Sequence, residues 1–93
     1  MKEFKKIWFN KIVSTKGFVI KYINKDCFIY IENTRTLIPN TEMLNNGNIL
    51  LYRDSIRKWS NNNEEEISNN KQEEILFNIK NALQYDHRKL DII

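Results

Sequence analysis

One stretch of this chain, and only one, repeats its apolar residues with the period of an α-helix. From Ser68 to Tyr85 the sequence SNNKQEEILFNIKNALQY sets Ile75, Leu76, Ile79, Ala82 and Leu83 on a single stripe, the i, i+4, i+7 spacing of a helix that buries one face. With no second helix of comparable strength to receive it, that stripe must cover a sheet. Asn70 followed by Glu73 predicts a capping box, and Glu73 and Glu74 sit where the positive end of the helix dipole favours acids. Lys71, Glu74, Asn78 and Asn81 make up much of the opposite face. At 100° per residue Phe77 falls in the middle of that polar side, so it is expected to be at least partly exposed.

The sheet is read from shorter runs upstream. Ile7 to Val13 alternates loosely and predicts a first strand, with Ile7, Phe9 and Val13 on one side and Trp8 and Ile12 on the other, a helical start being the alternative. After Gly17, FVIKYI and CFIYIE flank the turn Asn24-Lys25-Asp26 and predict a hairpin. Lys21 shares a face with Val19 and Ile23, which turns Phe18, Ile20 and Tyr22 inward. In the second arm Glu32 marks the outer face, which sends Cys27, Ile29 and Ile31 toward the core. Pro39 ends the next run, because proline lacks the ladder donor. Asn45-Asn46-Gly47-Asn48 then reverses the chain into ILLYR, a second hairpin. Asp54 and Ser55 bend the chain before IRKW, in which Trp59 is the last large side chain ahead of a polar tract. Beyond Tyr85, Leu90 and Ile92 alternate with Asp91 as a short final strand. The 93 residues make one domain, 1–93. Its expected class is α+β: an antiparallel sheet of about five strands, one C-terminal helix packed on one face, and the short final strand.

Few residues offer chemistry. The single cysteine, Cys27, cannot form an internal disulfide, and it lies in a different element from the single histidine, His87, so no nucleophile and base are coupled locally. Without a second His or Cys a zinc site is not expected. Asn61, Asn63 and Glu65 alternate like the ligands of a calcium loop, but the glycine of such a loop is missing and its final acid would fall on Gln72. With only Gly17 and Gly47, no glycine-rich phosphate cradle can be built. No cofactor and no catalytic residue is expected. Neither a secretory signal nor a membrane-spanning run is found, which predicts a cytoplasmic protein without membrane contact.

Charge is distributed unevenly around a net +3. Residues 1–25 carry seven lysines and one glutamate, whereas residues 59–79 carry five glutamates and one lysine. Lys2, Lys5, Lys6, Lys11, Lys16, Lys21 and Lys25 interleave with Phe4, Trp8, Phe9 and Phe18, a mixture suited to phosphate contacts and base stacking. It is also the mixture of ordinary amphipathic strands. Asn, Ile and Lys together supply 39 of the 93 residues, and all three use A- and T-rich codons, so the lysine content also fits genome bias.

From Thr41 to Leu83 the sequence resembles the immunity protein 74 family of bacterial polymorphic toxin systems. The likeness is carried by Glu42, Gly47, the string Tyr52-Arg53-Asp54-Ser55-Ile56-Arg57-Lys58-Trp59, an acidic loop, and a helix after Ser68. It implies a non-enzymatic protein that binds and neutralises a cognate toxin, with no catalytic residue to carry over. In that setting Phe77 would serve as an aromatic anchor, and Glu64, Glu65 and Glu66 as steering charges toward a basic toxin. Trp59 is either a further partner contact or an indole filling a thin core. The alternative function is a small basic nucleic-acid-binding module.

Overall fold

The computed structural model describes residues 3–8, 10–24, 27–60 and 65–93. Five strands, β1 (Phe4–Ile7), β2 (Lys11–Ser14), β3 (Phe18–Tyr22), β4 (Phe28–Glu32) and β5 (Arg35–Leu37), form an antiparallel meander in chain order. A second sheet joins β6 (Thr41–Met43) and β7 (Ile49–Leu51) as a hairpin, and adds β8 (Leu90–Ile92) parallel to β7. Between the strands of this second sheet lie a 3-10 turn, Arg53–Ser55, and the helix α1, Asn69–Tyr85. The α+β class, the five-stranded sheet, the helix and the final strand are as the sequence predicts; that the final strand completes a separate sheet is not visible in it.

The expected helix stripe is buried throughout: Ile75, Leu76, Ile79, Ala82 and Leu83 join the inward side chains of both sheets in one core. Phe18 stacks on Tyr30 at 5.4 Å between ring centroids, and Tyr30 on Trp59 at 6.3 Å, a row of aromatics running beneath α1. The second hairpin forms as expected, with Gly47 at φ 86° and its N–H donating to the Leu44 carbonyl. That backbone region is open to glycine at no steric cost.

Four expectations are corrected. Ile7 to Val13 is two strands, because the chain reverses at Trp8 (φ 58°) and pairs Ile7 with Lys11. A single strand would have placed the Trp8 indole on the same face as Ile12, which is fully buried; the reversal leaves Trp8 82% exposed instead.

On β4 the two faces are the reverse of those expected. Residues directly opposite in an antiparallel pair share a face, and Phe18, Ile20 and Tyr22 stand opposite Glu32, Tyr30 and Phe28. Phe28 and Tyr30 therefore fill the core, while Cys27, Ile29 and Ile31 are half-buried on the outer side. Glu32 is admissible on the inner row because it lies at the rim, accepting a hydrogen bond from the Tyr30 hydroxyl (2.7 Å) and pairing with Lys71 (2.5 Å). Lys25 and Asp26 of the expected turn lie outside the described residues; Ile23 and Asn24 donate their N–H groups to the Cys27 carbonyl.

On α1 the cap and one side chain differ from expectation. Ser68, rather than Asn70, caps the helix, its hydroxyl accepting from the Lys71 N–H at 3.2 Å. Glu73 is drawn away to Arg53. Asn78, expected on the solvent side, is buried and donates to the Tyr30 hydroxyl at 3.0 Å.

Candidate binding surface

The residues singled out in the sequence separate by depth. Trp59 is 2% exposed and belongs to the core, so it has no face to offer a partner. Its backbone is fixed as well, since its N–H donates to the Glu65 carbonyl, and the next residue, Ser60, donates to Thr36 at the edge of β5. Phe77, by contrast, is 59% exposed. Glu65 and Glu66 are exposed, and Glu64 lies outside the described residues.

Around Phe77 the helix and the ends of the larger sheet build a charged rim. Lys16, in the β2–β3 turn, holds its ammonium 5.7 Å from the centre of the Phe77 ring and 3.8 Å from a Glu3 oxygen. A cation over an aromatic face is attracted by the ring quadrupole. Nearly two turns back along α1, Lys71 bridges Glu74 (2.7 Å) and Glu32 (2.5 Å). Partial burial works against the Lys71 charge, but the hydrogen bonds to Glu32 and Glu74 outweigh it and raise its pKa. Beside Glu32, Arg35 pairs with Glu65 at 2.8 Å and lies over the Trp59 ring. The same shallow groove is lined by Lys16, Glu32, Lys71, Glu74, Phe77 and Asn78.

Lys16, Arg35 and Lys71 were missed as members of this surface. Their contacts join segments far apart in the chain, and no local pattern announces them. Only the exposure of Phe77 had a signal in the sequence, its position between Glu73 and Asn81 on the helical wheel.

Among the described residues no group of three or more His, Cys, Asp or Glu side chains is placed to hold a metal. The hydroxyls of Tyr22 and Tyr30 are pushed to high pKa chiefly by burial, and Tyr52 is raised by its hydrogen bond to Glu42. None of the three is thereby brought toward a neutral-pH acid or base role. Of the aromatics interleaved with the N-terminal lysines, Phe18 is buried and Phe4 packs against the core and Tyr85. Lys6 is held by Asp86 at 2.6 Å. Lys2, Phe9 and Lys25 lie outside the described residues.

Protein-family models, curated proteins and solved structures give no match to this chain. No helix of the described residues is long and apolar enough to cross a membrane.

Proposed function

We propose that this chain is a non-enzymatic immunity protein that binds a cognate bacterial toxin in the cytoplasm and neutralises it by occlusion. The observation that carries this reading is Phe77. A large apolar ring stands outside a core that has enclosed Trp59, Tyr30, Phe18 and Phe28, and it is framed by ion-paired side chains. An aromatic anchor within a polar rim is the usual anatomy of a protein interface. A standard footprint of about 800 Å² per partner would occupy roughly one-eighth of the 6216 Å² surface. Glu74 beside the ring, together with the exposed Glu65 and Glu66, suits a basic toxin surface, where such charges act on encounter more than on final affinity.

The nucleic-acid module has weaker support: of the described N-terminal aromatics, Phe4 and Phe18 face inward, which leaves Trp8, 82% exposed, as the one ring open to a base.

The test is co-expression with the toxic C-terminal domain encoded in the neighbouring reading frame. The chain should restore growth, form a stoichiometric complex and leave the toxin's mass unchanged. Phe77→Ala should weaken that complex by about 2 kcal/mol, the loss typical of a central aromatic, with its thermal unfolding unchanged. Restored growth with no complex, or with a covalently altered toxin, contradicts the proposal.

A further inference from the structure

The helix covers one face of the five-stranded sheet, and among the described residues no core side chain lies on the other. The strand register sets Ile7, Lys11, Lys21 and Ile29 in one row across that outer face, and Lys5, Val13, Val19, Ile31 and Thr36 in the next. Val13, Val19, Ile29 and Ile31 are half-buried, yet none belongs to the core or packs against it. They form an aliphatic centre with lysines on the β1 to β3 side.

Among the described residues, no carboxylate lies within ion-pairing distance of Lys5, Lys11 or Lys21. Lys11 and Lys21 are direct cross-strand neighbours, an arrangement that repels. Lysine is a common guard on edge strands, and that accounts for Lys5 on β1. It does not account for Lys11 and Lys21, which stand on interior strands. Where β1 turns back into β2 the exposed Trp8 sits at φ 58°, and Ile23, just past β3, is also exposed. Bulky residues are rarely found in that backbone region.

We propose that this outer face is a docking surface for an acidic, amphipathic protein segment: apolar side chains cover Val13, Val19, Ile29 and Ile31 while carboxylates meet Lys5, Lys11 and Lys21. The face is separate from the Phe77 surface, whose rim pairs charges of both signs. Protein is favoured over nucleic acid because β-branched aliphatics cannot stack on bases, whereas they bury well against leucine or isoleucine. Trp8 at the rim supplies an amphipathic ring of the kind enriched at interfaces.

The probe is a synthetic amphipathic helix of about 18 residues, long enough to cross the sheet, with a leucine stripe flanked by glutamates. Its control carries lysines in place of the glutamates, and a twenty-nucleotide oligothymidine is titrated in parallel. The acidic peptide should perturb the methyl resonances of Val13, Val19, Ile29 and Ile31 and shift Trp8 emission to the blue, leaving Phe77 resonances unmoved. Binding should weaken with added salt and fall about tenfold in Lys11→Glu/Lys21→Glu. Should that variant not fold, the salt dependence and the methyl map of the unmodified protein decide the matter. Equal binding of the two peptides, no binding of the acidic one, or perturbation centred on Phe77 overturns the proposal. So does preferential binding of the oligothymidine, or self-association of the free protein through this face.

Discussion

Tyr22 and Tyr30 stand on neighbouring strands of the same sheet face, but their hydroxyls are treated differently. The Tyr30 hydroxyl donates to Glu32 and accepts from the buried Asn78. Among the described residues the Tyr22 hydroxyl is buried without a partner at ordinary hydrogen-bond geometry; Asp86 lies near enough to hold its proton more tightly, and Arg88 stacks 4.5 Å from its ring centre. Removing a satisfied buried hydroxyl strands its partners, whereas removing an unsatisfied one relieves a desolvation penalty. Tyr30→Phe should therefore destabilise by about 1–3 kcal/mol in urea unfolding. Tyr22→Phe should be neutral within about 0.5 kcal/mol, or stabilising. Similar losses in the two variants would show that the Asn78 bond contributes little.

At the scale of the elements, the helix start is the sharpest test. Ser68→Ala should lower stability by about 1 kcal/mol, and Asn70→Ala by much less, since only Ser68 accepts from the first turn; the comparison is made by thermal unfolding monitored by circular dichroism. The stripe from Ile75 to Leu83 was legible because helical periodicity is a local property. The inward residues of β3 were legible for the same reason. The face of β4 was not, because Glu32 is kept on the inner side by Lys71, thirty-nine positions along the chain. Asn78 hides its burial in the same way, through Tyr30. The break between β1 and β2 escaped notice because its turn uses Trp8 in a backbone region where glycine or asparagine would have signalled it. Of the binding surface, Phe77 could be read from the wheel, and the rim of Lys16, Arg35 and Lys71 could not.

For the molecule as a whole, the shifted groups act in one direction. Tyr22, Tyr30 and Lys71 all hold their protons to higher pH in the folded chain than they do when free. Unfolded tyrosine and lysine titrate near about 10 to 10.4. Above that range the folded state binds more protons than the unfolded one, so stability falls as pH rises, while below it the contribution is present in full. The urea midpoint should be insensitive to these groups between pH 7 and about 9 and decline beyond about 10; a midpoint that climbs on the alkaline side contradicts the assignment.

The two sheets also differ in how far the chain must travel to make them. Every join of the meander links strands consecutive in sequence, whereas β7 and β8 meet only after α1 has been traversed. Loop-closure entropy grows with the length enclosed, so the β7–β8 join bears the largest ordering penalty of any strand pairing in the fold. The meander can assemble early as a sequence of hairpins, and the parallel pairing is then the late step that closes the remaining side of the core.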